Sequence, residues 1–358
     1  MKNEKVFKKI EDPLKEKNVL PLFAQKLSIN HFSASQFSKP DGAWLIEHCF
    51  LTQPQRRDLL LKNAQMMAGV RIGDAIQKCI ADTIWKLNSA KKIAPAKNDK
   101  LTRDVALQEQ LEKFKEYEPR DEKDQTKHIR YIEDFPLVVQ AGFQALEEIG
   151  GVELNPPVIC EEQISITDKH TDGFFSCFLP VVGRTDIIFG DTSVPGKSLP
   201  CVNPDSMHML SFPEAIIELK TVHTKLGKVK KNGERSFIKA NPPTTPSFNH
   251  QVQCATYAAY YFFKIPVYLI YATANGYKIF TSNNCPGLTV EGLKRNFQIM
   301  LNVFRRREKL LTANEHKTRE EIIEGAIELI DPMFDHPWCW NNFPLDLLKE
   351  VKEMWRMS

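Results

Sequence analysis

Val181-Val182-Gly183-Arg184-Thr185-Asp186-Ile187-Ile188-Phe189 and, further along, Ala215-Ile216-Ile217-Glu218-Leu219-Lys220 are the two runs that decide the fold. Both are apolar, rich in β-branched residues, and read as strands buried in a sheet. A bare carboxylate in such a strand costs several kcal/mol unless it is paired or metal-bound. Asp186, Glu218 and Lys220 therefore need a common explanation. A divalent cation between the two acids supplies one, because hard cations take carboxylate oxygens and keep positions for water and phosphate. Strand alternation turns Lys220 to the side of Glu218. The plainer alternative for Glu218 and Lys220 is an ion pair on an edge strand.

The pattern around these strands is α/β. A helix is expected over Pro136 to Ile149, stopped by Gly150-Gly151. A strand is expected over Val158 to Ile166, with a turn at Asp172-Gly173. Phe174 to Phe189 reads as one long or broken strand, and Glu214 to Thr221 as the next. Ser247 to Phe263 reads as a helix. Val267 to Thr273 and Tyr277 to Thr281 are strands joined at Asn275-Gly276, a hairpin signal. Upstream, apolar spacing predicts a helix over 57–88. The lysine- and glutamate-rich stretch 89–134 reads as an exposed insertion with a helix over 103–117. Residues 1–30 form a charged lead-in, and Ser33-Ala34-Ser35 is a helix N-cap signal. Residues 289–356 are helical. The expected division is a helical region 1–134, an α/β core 135–285 and a helical region 286–358.

Gly183-x-x-Asp186, Glu218-x-Lys220-Thr221 and Gln253-x-x-x-Tyr257, in this order, resemble the PD-(D/E)xK nuclease superfamily. The similarity is to its RecB-like branch, which includes the mitochondrial genome-maintenance exonuclease and phage-like exonucleases. The motifs span 183–257, and the order helix, three strands, helix, strands fits from about 136 to 281. The resemblance implies a restriction-endonuclease-like core, a central mixed sheet flanked by helices. It implies a Mg²⁺- or Mn²⁺-dependent deoxyribonuclease that hydrolyses DNA ends during replication or recombination, on single-stranded or resected DNA. Asp186 and Glu218 would be metal ligands, with the Leu219 carbonyl completing the site, and Lys220 would orient the attacking water. Gln253 and Tyr257 would face the site and touch the scissile strand or the lysine; core packing is the alternative for Tyr257. Of Glu161 and Glu162, on the strand before that of Asp186, only one can face the site, and Glu162 is taken as the additional acid. Where the family places a histidine after a glycine in an early helix, this chain has Gly69 and then Gly73, which leaves that part of the metal site in doubt. A structure-specific endonuclease and a DNA-binding module without catalysis are the rival functions.

A basic loop follows Lys220: Lys225, Lys228, Lys230, Lys231, Arg235 and Lys239 stand against one acid, Glu234. Beside a phosphodiester site it would add salt-dependent affinity for DNA. His250 and Gln251, near the start of the next helix, would meet phosphate through its positive end. Phe237 and Phe248 are candidates for base stacking, and Arg305-Arg306-Arg307 is a further basic cluster.

The chain has 358 residues, 42% hydrophobic and 26% charged, ordinary for a globular protein with a sizeable core. Its 48 basic and 45 acidic residues leave a net charge of +3, so the position of charge matters more than its sum. None of the 8 cysteines forms a C-x-x-C pair, which disfavours a zinc ribbon. Some RecB-like nucleases hold an iron–sulfur cluster with one upstream cysteine and a tight downstream trio. Cys285 and Cys339 are too far apart for that, and no cluster is expected. No run approaches the ~20 apolar residues of a membrane span, and the N-terminus lacks an apolar secretion core. A cytoplasmic location in a bacterial or phage-infected cell is expected, with replication or recombination proteins as possible partners.

Overall fold

The computed structural model describes residues 20–52, 54–56, 63–90, 99–149, 158–160, 163–167, 177–191, 212–229, 235–336, 339–340 and 343–356. Helix α1 (Leu22–Leu27), strand β1 (Phe32–Ser33) and α2 (Asp41–Leu45) precede three long helices, α3 (Ala64–Ala90), α4 (Asp99–Lys115) and α5 (Glu122–Glu148). Strands β2 (Val158–Cys160), β3 (Gln163–Ile166), β4 (Val181–Arg184), β5 (Ile187–Asp191) and β6 (Phe212–Val222) follow. Next come β7 (Lys225–Val229), β8 (Arg235–Ile238), helix α6 (Phe248–Tyr260), β9 (Val267–Thr273) and β10 (Gly276–Phe280). Helices α7 (Val290–Thr312), α8 (Arg319–Ile327) and α9 (Leu345–Met354) come last.

The fold is mixed α/β. A 5-stranded sheet runs β10-β9-β6-β5-β2, and a 3-stranded sheet runs β1-β4-β3. β5 lies antiparallel to β6, whereas β6 and β9 are parallel. A parallel pair needs a crossover, and α6 lies within it. Period-2 alternation feeds two cores, one on each face of the larger sheet. Ile188, Ile216 and Leu269 pack towards α6 and α7; Ile187, Ile217 and Ile270 pack towards α3, α4 and α5. β6 lies between β5 and β9, but its pairing with β5 stops at Ile217, so Glu218 to Val222 pair with β9 alone; Glu218 is nonetheless buried.

Several expectations are corrected. The run 158–166 is not one strand: β2 pairs with β5 and β3 with β4, in different sheets. Of the two readings of the segment before Phe189, the broken strand is the one found: it breaks at Thr185–Asp186, where the chain passes from one sheet to the other. Helix α5 starts at Glu122 rather than Pro136. The Asp121 side chain caps it by accepting the Asp124 amide, and Pro136 sits inside the helix. Burial of Tyr131, Phe135, Val138 and Val139 along that helix offsets the missing proline donor. The charged stretch is not merely exposed, because Ala106, Leu111 and Phe114 of α4 enter the core. Ser33 precedes a short 3₁₀ turn, but its hydroxyl meets that of Ser35 at 2.9 Å and caps nothing. Gly150-Gly151 and Asp172-Gly173 lie outside the described residues. Among the described residues, no helix is long and apolar enough to cross a membrane.

Candidate active site

The break at Thr185–Asp186 delivers Asp186 to the middle of β6. Its Oδ2 accepts the Leu219 amide at 2.7 Å, and its carbonyl accepts from Gln77 Nε2 of α3 at 3.3 Å. Glu218 lies beside it, 1% exposed. Lys220 closes the group with an ion pair to Glu218 Oε1. Burial, reinforced by the Glu218 charge, raises Asp186 well above the usual carboxylate range. Burial alone would lower Lys220, yet Glu218 and Asp186 hold it above its ordinary value, so it keeps its charge.

Helix α6 covers this face. Burial, and then the neighbouring Glu218 and Asp186, push the Tyr257 hydroxyl well up. A Cβ on Gly183 would stand 3.0 Å from Tyr257 Cε1, so the glycine makes room for the ring. Asp186 and Tyr257 both crowd Glu218, yet neither makes a directed hydrogen bond to its second oxygen. Oε2 of Glu218 is buried without a partner, and so is Oε1 of Gln253, one helical turn before Tyr257. Buried polar atoms are almost always satisfied. Glu218 Oε2 is thus an acceptor left open beside Asp186 and Lys220.

His250 opens the same helix face. The Tyr271 hydroxyl accepts the Ser247 amide at 2.9 Å and lies 2.7 Å from His250 Nδ1. The assignment that uses the phenol's own proton has Tyr271 donating to Nδ1, leaving the ring proton on Nε2. Burial, and then Lys220, lower His250 to about 4, so it is a neutral donor at ordinary pH. Tyr271 is the β9 register partner of Lys220.

The structure thus brings together Asp186, Glu218, Leu219, Lys220 and Tyr257, with Gln253 and His250 on the covering helix. Glu162, Lys230 and Lys231 lie outside the described residues. Lys225, Lys228 and Lys239 are exposed on or beside β7 and β8, and Arg235 opens β8. The Gln251 side-chain amide donates to the Pro246 carbonyl at 3.0 Å. Arg307 is a structural residue, buried and bonded to Asp41. Asp74 pairs with Arg71 on the helix surface. Phe248 packs edge-on to Phe37.

Gln77, Cys254 and Tyr271 border the site without any sequence signal. Gln77 arrives from a helix distant in the chain, and Tyr271 only through the β6–β9 register. Gly69 was read only as a motif position, but it packs α3 against β6: a Cβ there would meet Thr221 Oγ1 at 3.2 Å. At Gly73 an added Cβ would meet nothing within 4 Å. Among the described residues no group of three or more His, Cys, Asp or Glu forms a metal cluster; Asp186 and Glu218 are two. Two carboxylates and a backbone carbonyl suit an oxygen-seeking cation that keeps part of its water shell, and the unpartnered Glu218 Oε2 fits that role. No family model matches this chain, and no curated protein or solved structure matches it either.

Proposed function

We propose that this protein is a metal-dependent deoxyribonuclease with a PD-(D/E)xK-type core, acting on DNA ends. One observation carries the reading. Where β6 runs past its pairing with β5, Glu218 stands buried against Asp186 and Lys220 with one carboxylate oxygen left unpartnered. Within the five-stranded sheet and its flanking helices the order α5, β2, β5, β6, α6, β9 also supports it, with β3, β4, β7 and β8 inserted between them in other sheets.

Asp186, Glu218 and the Leu219 carbonyl would hold Mg²⁺ or Mn²⁺. A bound cation of this kind lowers the pKa of its water and offsets charge on phosphate. Lys220 stays protonated between two acids and offers Nζ–H donors to a phosphate oxygen or the attacking water. Its side chain is 24% exposed, within reach of substrate. Neutral His250 offers Nε2–H from the N-terminal turn of α6, where the helix dipole favours an anion. Gln253 completes the lining with its unpartnered oxygen.

Digestion of end-labelled linear and covalently closed circular DNA, with Mg²⁺ and with chelator, tests this reading. Loss of linear DNA alone, only with metal and not with Glu218→Gln, is the expected result. Cleavage of circles would move the assignment to an endonuclease. DNA binding without cleavage in Mg²⁺ or Mn²⁺ would leave an inactive binding module.

A further inference from the structure

Among the described residues β7 and β8 pair only with each other and join neither larger sheet. A two-stranded ribbon is marginal in water unless something holds or covers it. Its base is held. Thr224, between β6 and β7, donates to Asp134 of α5, and Asp134 is ion-paired to Arg130 at 2.7 Å. His223 beside it is buried and lies 3.0 Å from the Thr221 hydroxyl. At Gly227 an added Cβ would run into the Ser236 hydroxyl and lie 3.2 Å from the Ser236 carbonyl oxygen, so the glycine lets the two strands sit close.

The ribbon's surface is not covered. Val229 is 54% exposed, Phe237 42% and Ile238 59%. Exposed Lys225, Lys228 and Lys239 surround them, and none has an acid within ion-pair distance among the described residues. Leu226 faces Phe237 in register, and Lys225 faces Ile238, so each face of the ribbon carries apolar surface. The Arg130 guanidinium lies 5.8 Å from the Phe237 ring centroid, adding a cation at the ring. β7 begins five residues after Lys220, at most about 17 Å along an extended chain.

We propose that the β7–β8 ribbon is a base-stacking platform that binds the single-stranded part of a polynucleotide leading to Lys220. Phe237 would take a base face, and Lys225, Lys228 and Lys239 would take phosphates. The assignment rests on the nuclease reading for the identity of the chain bound. Exposed apolar groups among unpaired cations match what single strands offer, unstacked bases between phosphates. A duplex hides its base faces. A protein partner would need acids to meet the lysines.

The test uses the full chain and a fluorescein-labelled 20-nucleotide oligothymidylate in buffer with chelator, so that binding is read without cleavage. Phe237→Ala and Phe237→Leu are each expected to weaken binding about 5- to 150-fold, the span of one lost base stack. Phe237→Trp is expected to bind at least as tightly as wild type, which separates stacking from mere apolarity and from misfolding. Equal binding by wild type and Phe237→Leu would overturn the proposal. So would absent binding by wild type, or tighter binding of a 20-base-pair duplex than of the single strand. Hydrolysis of bis(4-nitrophenyl) phosphate with Mn²⁺ is followed in parallel, because so small a diester does not reach the ribbon. Its absence in wild type would remove the nuclease reading while the Phe237 series still decides the platform.

Discussion

Two buried charge clusters in this molecule differ in one respect, and that difference separates architecture from chemistry. At Arg307, 1% exposed, every group of the guanidinium is used. Nε meets Asp41 at 3.0 Å, Nη1 the Gln36 carbonyl at 3.2 Å, and Nη2 the Lys39 carbonyl at 2.6 Å. Trp44 lies 4.8 Å from the guanidinium carbon. Burial lowers Arg307 to about 10, against the opposing pull of Asp41. This cluster ties the N-terminal segment to α7 and is complete. The Asp186, Glu218 and Lys220 cluster opens to solvent at Lys220, 24% exposed; it sets two acids side by side and leaves Glu218 Oε2 unpartnered. A complete buried network holds a fold together; an open acceptor beside two acids is what the proposed cation would fill.

The largest expected effect lies at the incomplete cluster. Asp186→Asn and Lys220→Ala should each lower cleavage on the order of 10³-fold, the scale of removing one group that stabilises charge in a reacting phosphate. Asp186→Asn should leave stability unchanged or higher, because it removes like-charge repulsion and its amide oxygen still accepts from Leu219. Rate assays and urea melts on the same preparations would show the split. Full activity in both variants would dissolve the comparison.

At the complete cluster the pattern should invert. Arg307→Met leaves Asp41 with Arg306 as its partner but strips the Gln36 and Lys39 carbonyls of a buried donor, and should cost about 1–3 kcal/mol in urea unfolding. Activity per folded molecule should remain near wild type. A loss of activity without a loss of stability would mean that Arg307 serves the site.

A third effect concerns His223, 5% exposed under the ribbon. Burial lowers its pKa from 6.5 to about 4, with Asp134 pulling the other way. The folded value lies below the unfolded one, so this stabilisation is fully present above pH 6.5 and fades as pH falls towards 4. The shift amounts to roughly 3 kcal/mol. His223→Gln should flatten the fall in melting temperature between pH 6.5 and 4 relative to wild type. Parallel curves would assign that fall to other groups.

The smallest effect tests the space beside the incomplete cluster. Gly73 lies one turn from Gly69 and Gln77, which touch Thr221 and Asp186, and an added Cβ there would meet nothing. Gly73→Ala should therefore gain up to about 1 kcal/mol of helix propensity. A loss in the urea melt would show that the space is not free.

Much of this was legible in the sequence where local chemistry decides. Val267–Thr273 and the hairpin at Asn275-Gly276 fall where alternation and turn residues put them, and Gly276 has φ 120°. Asp186, Glu218 and Lys220 stood out because they interrupt apolar strands. What failed to show depends on contacts distant in the chain. The division of 158–166 between two sheets follows from pairing with β4 and β5, which no local pattern encodes. Charge-rich composition hid the inward face of α4, where Phe114 reaches the core. Arg307 looked like its basic neighbours in the sequence, and only the approach of Asp41 and the carbonyls around it makes it structural.

The most direct test of the central claim is the melting temperature of the full chain with and without millimolar Mn²⁺ or Mg²⁺, in wild type and in Glu218→Gln. A ligand that binds only the folded state raises stability by mass action. The account predicts a metal-dependent rise in wild type that Glu218→Gln abolishes. No rise in wild type, or an equal rise in both, would contradict a cation site at the unpartnered Glu218 oxygen.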